Sequence, residues 1–564
     1  MIASAHVDTF ARDHLPPSDE WPDFVFDLPS LAYPDRLNAA GALLDAAIMR
    51  GWGERTAIVA PTQAIGMPST STAVATAATG GEQQAAESPL RWTYAELNVV
   101  ASRIAHVLTQ DFGVRPGNRV LLRGPNSPMT AACWFAIIKA GAVAVATMPL
   151  LRARELAAVI DKAQVSHALC DARLVAELEA ARAACPTLRH VARFATTAAD
   201  GLETWMRQKT ATYEPVATAA DDVAMIAFTS GTTGTPKGTM HFHRDILAAC
   251  DCWPIHTLCA SADDLFTGSP PLAFTFGLGG LLLFPLRIGA STLLLEKASP
   301  EALLAAIAQF RPSVLFTAPT SYRAMAQRTK EFDLASLRKC VSAGEALPAA
   351  TRALWKDATG IEIIDGIGST ELLHIFISHR EDDARPGATG KPVPGYRACV
   401  MDPAGRPLPA GAVGKLAVKG PTGCRYLADD RQRNYVRDGW NYTGDAYLID
   451  DDGYFIYQAR TDDMIVSAGY NIAGPEVESA LMLHPAVAEC GVIGVPDDER
   501  GQVVKAFVVL KPPHEGDAAM ASELQDFVKR TIAPYKYPRA VTFLDALPRT
   551  ETGKLQRYRL KVLA

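Results

Sequence analysis

The sequence predicts a multi-sheet α/β protein, with a large N-terminal α/β domain followed by a small α+β domain. Three observations predict it. Short β-rich runs alternate with amphipathic helical stretches along most of the chain, the pattern of layered, largely parallel sheets. With 48% hydrophobic and 21% charged residues over 564 positions, the chain can bury several cores and lacks the composition of a disordered protein. Near Gly453 the texture changes to the charged, turn-rich passage DDGYFIYQARTDDMIVSAGYNI, after which the chain carries its own strand and helix signals. The two domains are expected to join near residues 460–463.

In chain order, the strand-like TAIVA (56–60) precedes residues 66–88, and RWTYAEL (91–97) follows them. That intervening segment has no aromatic, Leu, Ile, Lys or Arg, and 16 of its 23 residues are Ala, Thr, Ser or Gly. It is expected to be a flexible insertion in a hairpin, without chemistry of its own. RVLLRG (119–124), VAMIAFTS (223–230), SVLFTAP (313–319) and KLAVKG (415–420) read as further strands, and residues 348–359 as a helix stopped by Gly360. GVIGVPD (491–497), KAFVVLKP (505–512) and AVTFLDALP (540–548) would be strands of the second domain. Two apolar stretches, 129–151 and 277–295, are interrupted by Lys139, Gly141 and Pro149, and by Pro285 and Arg287. They read as buried helix followed by strand rather than as membrane spans.

Lys+Arg 55 against Asp+Glu 61 gives a net charge of −6, which offers no basic footprint for nucleic acid. Asp8, Arg12 and Asp13 break the N-terminal run that a signal peptide would need. The ten cysteines are scattered, so a cytoplasmic protein without disulfides and without a membrane partner is expected. His241-Phe-His243 precedes Cys250-Asp-Cys252, but the spacing matches neither a zinc finger nor a zinc ribbon, and core thiols are expected.

The sharpest local signal is Phe228-Thr-Ser-Gly-Thr-Thr-Gly-Thr-Pro-Lys237-Gly238, directly after an apolar strand. Its three glycines let backbone approach a ligand, and five hydroxyls plus Lys237 supply donors, as a phosphate cradle requires. No G-x-x-x-x-G-K-[ST] spacing can be laid over it, so it is not a Walker loop. Downstream, Thr370 beside Glu371 offers a hydroxyl and a carboxylate to phosphate and Mg²⁺. Asp445, after Thr-Gly, could accept two ribose hydroxyls, and Lys554 is a point charge suited to a substrate carboxylate and an α-phosphate.

The run Thr229-Ser230-Gly231-Thr232-Thr233-Gly234-Thr-Pro-Lys237-Gly238 resembles the phosphate-loop signature of the acyl-adenylate-forming superfamily. That superfamily comprises acyl- and aryl-CoA ligases, peptide-synthetase adenylation domains and luciferases. Four further stretches agree in order: SAGEALP (342–348), DGIGSTE (365–371), YTGD (442–445) and PRTETGK (548–554). The resemblance implies an acyl-adenylate-forming fold, with residues 1–461 binding ATP and acid and residues 462–564 forming a mobile lid hinged at Asp462. It implies ATP/AMP contacts from the phosphate loop, from Gly344, Glu345 and Ala346, from Asp365, Gly366 and Thr370, and from Asp445, Arg460 and Lys554. Thr370, Glu371 and Lys554 would be catalytic, and Glu371 would hold Mg²⁺. Gly469, in SAGY (467–470), would border the coenzyme A tunnel. Ala459 stands where the family usually has Gly before the hinge arginine.

DGIGSTELLHIF (365–376) is very close to the benzoate-CoA ligase form of that segment, in which the histidine borders the aryl site. The expected aryl-site residues are Phe274, Thr275, Phe276, Ile367, Gly368 and His374. Benzoate ligases carry Phe-Phe-Ala-Tyr-Gly where this chain has Ala273-Phe-Thr-Phe-Gly277, and DTFARDHLPPSDEWPDF (8–24) is similar to the N-terminal passage of 2-aminobenzoate-CoA ligases. The expected activity is therefore ATP-dependent, AMP-forming ligation of 2-aminobenzoate (anthranilate) to coenzyme A. Benzoate or another substituted benzoate is the alternative acid, and a carrier protein the alternative acceptor. A monomer and a homodimer both remain open.

Overall fold

The computed structural model describes residues 3–61, 88–229, 236–467, 470–497, 500–532, 534–549 and 555–564. Of the insertion 66–88, all but Ser88 lies outside the described residues. Its flanking strands, Thr56–Ala60 and Leu90–Thr93, do pair antiparallel, with Ile58 opposite Trp92.

Two sheets form the body of the N-terminal part. One has six strands in the order His190–Phe194, His167–Asp171, Arg119–Arg123, Val143–Thr147, Val223–Thr229 and Lys237–Phe242, all parallel except the last. The other has nine, and its parallel centre contains Leu265–Gly268, Val314–Thr317, Lys339–Ser342 and Ile363–Gly368. The helix Pro128–Lys139 is buried along its whole length. It shares one core with Val120, Leu122 and Ala144 of the first sheet and with Phe266, Phe316 and Ile364 of the second. A helix apolar all round belongs in such a slot, and strand Val143–Thr147 follows it, as the reading of 129–151 as buried helix then strand expects. Among the described residues no helix is long and apolar enough to cross a membrane.

A third sheet, built from Arg397–Met401, Gly414–Lys419, Val436–Arg437, Trp440–Ile449 and Phe455–Arg460, is wholly antiparallel, against the expectation of mainly parallel pairing. Its last three strands are joined by connections of two and five residues, which leave no room for a crossover and hold neighbours antiparallel. The C-terminal sheet comprises Ile465–Ser467, Tyr470–Ile472, Val487–Asp497, Gly501–Leu510 and Ala540–Phe543. The strand expected over 540–548 stops at Phe543, whose partner is Val508, with Leu544 N–H making a last hydrogen bond to Val508 O at 3.0 Å. Helices Gly474–Leu481 and Ala518–Thr531 close over this sheet, with Val477, Leu481, Leu524 and Val528 in a core of their own.

Candidate functional site

The phosphate-loop sequence joins Val223–Thr229 to Lys237–Phe242, and Thr229 pairs with Lys237 where the two strands part. Ser230, Gly231, Thr232, Thr233 and Gly234 lie outside the described residues, as do Gly469 and Lys554. The Lys237 ammonium stands 5.2 Å from the ring centroid of Tyr426. That tyrosine sits on a segment laid against the same strand, with Leu427 N–H donating to Gly238 O at 2.8 Å and Met240 N–H to Arg425 O at 2.8 Å.

Tyr426 in turn donates its hydroxyl to Glu371 Oε1 at 2.5 Å. Burial, and then the neighbouring Glu371 charge, push the Tyr426 phenol far above its ordinary range, so it stays a donor. Thr370 and Glu371 lie in the turn that follows Ile363–Gly368. Ser369 Oγ accepts from Leu372 N–H at 3.2 Å, and Thr370 O accepts from Leu373 N–H at 3.2 Å. Leu373 takes a left-handed φ of 72°, uncommon for a branched side chain, and this delivers His374 inward. Ser369 also meets the hydroxyl of the half-buried Tyr435 at 3.3 Å. Burial, and then the neighbouring Glu371 charge, push the Tyr435 phenol well above its ordinary range, so it stays protonated.

Asp445 and Arg460 are register partners across Trp440–Ile449 and Phe455–Arg460, and Arg460 Nη1 lies 3.1 Å from Asp445 Oδ1. The same nitrogen donates to Thr443 O at 3.0 Å. Gly444 between them has φ 80°, and a Cβ there would strike the Arg460 guanidinium at 2.7 Å. Burial raises the Asp445 pKa despite the arginine beside it. Asp462 falls in the single turn Thr461–Asp463 immediately after Arg460, and Thr461 Oγ1 donates to Gly444 O at 3.0 Å.

Strands Lys339–Ser342 and Ile363–Gly368 are parallel neighbours, so their C-terminal ends emerge side by side, where ligands of open α/β sheets bind. Gly344 and Ala346 are exposed and Glu345 half-buried after the first strand; Asp365 and Gly366 are buried in the second. Burial pushes the Asp365 carboxyl up to about 7, with Arg352 opposing.

The aromatic segment meets the Thr370–His374 turn. Phe274 caps a short helix, Thr275–Leu278, in which Thr275 is buried and Phe276 half-buried. Gly277 fits because a Cβ there would lie 2.1 Å from Pro271 O. His374 Nε2 lies 3.3 Å from Phe276 O, and the ring packs against Phe284 (centroids 4.4 Å), Phe276 (5.6 Å) and Trp253 (5.8 Å). Burial lowers the His374 pKa to about 3, so the ring is neutral. Ile367 is half-buried and Gly368 exposed beside it, and a Cβ on Gly368 would press on His374 O at 2.7 Å.

Thus Lys237 and Glu371 are linked through Tyr426, Asp445 pairs with Arg460, and Phe276 meets His374. Sequence reasoning missed Tyr426, Tyr435 and Ser369, and it read His241 only as a weak zinc candidate. His241 Nε2 lies 2.8 Å from Thr370 O. Cys250 and Cys252 are buried thiols with raised pKa values.

Comparison with known proteins places this arrangement. Residues 71–426 match the AMP-binding enzyme family, and residues 476–554 match the AMP-binding enzyme C-terminal domain. The chain is 33% identical to a benzoate–CoA ligase of Thauera aromatica, covering 94% of this chain and 97% of that protein. Its structure is similar to that of the anthranilate CoA ligase AuaEII in complex with anthranoyl-AMP, with TM-score 0.86, 34% identity and coverage of 95% and 99%. A benzoate CoA ligase from Burkholderia xenovorans matches with TM-score 0.81, 31% identity and coverage of 93% and 99%. The chain therefore belongs to the AMP-binding enzyme family, and within the acyl-adenylate-forming superfamily to its aryl-CoA ligase branch.

Proposed function

We propose that this chain joins 2-aminobenzoate to coenzyme A, with ATP and Mg²⁺. The coarser activity, ATP-dependent and AMP-forming ligation of an acyl or aryl acid to coenzyme A, is that of the family to which the chain belongs. The observation that carries the finer reading is the likeness to a ligase structure holding anthranoyl-AMP. The threonine at 275, between Phe274 and Phe276, supports it.

In the first half-reaction a carboxylate oxygen attacks the α-phosphorus of ATP, and pyrophosphate leaves with the electrons of the broken P–O bond. In the second, the coenzyme A thiolate attacks the adenylate carbonyl, and AMP leaves. The phosphate loop (Thr229, Ser230, Gly231, Thr232, Thr233, Gly234 and Lys237) is assigned to the triphosphate. Gly344, Glu345, Ala346, Asp365 and Gly366 are assigned to the adenine side, and Asp445 with Arg460 to the ribose. The donor set at Thr370–Glu371 fits a hard cation. Glu371 is half-buried, and Tyr426 occupies Oε1, leaving Oε2 without a hydrogen bond among the described residues. Mg²⁺ held there would neutralise phosphate charge. His374 is neutral, so it cannot offset the substrate carboxylate; that role is assigned to Lys554. Asp462 is proposed as the pivot that lets residues 462–564 serve both steps, and Gly469 as a border of the thiol's path.

Pyrophosphate release measured across a set of aryl acids tests this reading, with 2-aminobenzoate expected to give the highest kcat/KM. Faster turnover of benzoate overturns the anthranilate assignment. It would favour the second reading, benzoate, which the relative aligned over 94% of this chain supports.

A further inference from the structure

The Thr370–Glu371 pair is held from two directions. Tyr426 grips the Glu371 side chain, while the backbone carbonyl of Thr370 is met at 2.8 Å by His241 Nε2. A carbonyl oxygen only accepts, so the proton of that hydrogen bond belongs to Nε2. His241 is fully buried on Lys237–Phe242. Alternation along this strand puts Lys237, Thr239 and His241 on one face. The strand that begins with Lys237 therefore also holds Thr370, across 129 positions of sequence.

His241 Nδ1 has no hydrogen-bond partner among the described residues; it lies 3.7 Å from Asp245 Oδ2, a carboxylate buried with the Arg425 guanidinium as its ionic partner. Asp245 Oδ2 also accepts from Phe242 N–H at 2.9 Å, which anchors the first turn of helix His243–Asp251. Arg425 lies over the Phe242 ring at 3.8 Å and immediately precedes Tyr426 in the chain. His241, Asp245 and Arg425 thus lie in one buried cluster beside both the carbonyl of Thr370 and the backbone that carries Tyr426.

We propose that His241 is a positioning residue for adenylate formation: through the Thr370 carbonyl it sets the Thr370–Glu371 pair relative to Lys237, while touching neither ATP nor acid. The proposal rests on the assignment of that pair to the triphosphate. A misplacement of about 1 Å in a catalytic constellation costs up to about 10²-fold in rate. Replacing the histidine acts on the step that needs the pair and spares the step that does not.

The experiment compares His241→Leu, His241→Gln and His241→Asn with wild type. It reads pyrophosphate release, thioester formation from presynthesised aryl-adenylate, ATP affinity and the thermal midpoint. Glutamine can place an N–H near the Nε2 position, whereas asparagine is too short to reach Thr370 O. We expect His241→Leu to slow adenylate formation about 10- to 100-fold and to weaken ATP binding, with thioester formation and thermal midpoint close to wild type. Glutamine restores most of the rate and asparagine does not. If the leucine variant does not fold, the glutamine–asparagine pair decides alone. Wild-type adenylation in the leucine variant, equal rates for glutamine and asparagine, or a parallel fall of both half-reactions each overturns the proposal. Failure of the wild-type protein to release pyrophosphate with any aryl acid would instead sink the functional reading, so the two failures are distinct.

Discussion

Tyr426 donates its hydroxyl to Glu371 Oε1 at 2.5 Å while its ring lies 5.2 Å from the Lys237 ammonium, so one side chain touches both charged groups assigned to the triphosphate. Tyr426→Phe keeps the ring and removes the donor. A hydrogen bond to a charged group contributes roughly 1.5–3 kcal/mol, of which only the part felt in the transition state appears in the rate. Adenylate formation is expected to fall about tenfold, with more Mg²⁺ needed for half-maximal rate. Unchanged Mg²⁺ dependence in a titration of the variant would show that Tyr426 only packs.

Asp365 makes a pH prediction with a defined sign. Its carboxyl titrates near 7 in the folded protein, raised by burial above an ordinary value of 3.8. Between those two values the unfolded chain has lost a proton that the folded chain keeps, so this residue's contribution to stability is complete below pH 4 and is lost as pH rises to 7. Asp365→Asn removes the titrating group at nearly constant shape. The variant should gain roughly 2–4 kcal/mol relative to wild type between pH 4 and pH 8. Parallel thermal midpoints for the two proteins across that range would refute it.

Lys554→Ala is expected to suppress adenylate formation by about 10²–10³-fold, the usual contribution of one charged donor aimed at a transition state. Thioester formation from presynthesised aryl-adenylate should survive, because that step attacks the carbonyl carbon and makes no bond at the α-phosphorus. Stopped-flow measurement of each half-reaction distinguishes this from a general defect, in which both would fall together.

What the sequence disclosed and what it hid divide along contact range. The strand leading into the phosphate loop is a local pattern of apolar run, glycine and polar residue, readable without its neighbours, whereas Thr370, Glu371 and Asp445 were legible through short motifs that resemble those of the family. The helix Pro128–Lys139 was legible as buried because it is apolar on every side. Tyr426, Tyr435 and His241 act through contacts 55, 66 and 129 positions away, and no periodicity marks such a partner. Only His241 left a trace: four residues after Lys237 on one strand, it had to share that lysine's face. The antiparallel sheet of residues 397–460 escaped for a related reason, since which strand lies beside which, and in which direction, is settled by contacts between distant residues such as Lys415 and Ala446.

Substrate choice is the most demanding test. Anthranilate differs from benzoate by one ortho amino group, which needs room and an acceptor. Thr275 is buried at the start of its short helix, between the half-buried rings of Phe274 and Phe276. Its hydroxyl can accept a hydrogen bond that alanine cannot. His374 is held neutral by burial and directs Nε2 toward Phe276 O, so it offers no positive charge to repel or compete with the amine. A site that pairs a polar substituent disfavours the analogue lacking it, because its own polar group is then left unpaired. One neutral hydrogen bond contributes about 1–1.5 kcal/mol, or roughly tenfold. Thr275→Ala should therefore lower kcat/KM for 2-aminobenzoate about tenfold and leave benzoate nearly unchanged. A parallel fall for both acids would make Thr275 a packing residue and leave the ortho amino group to be read elsewhere on the wall.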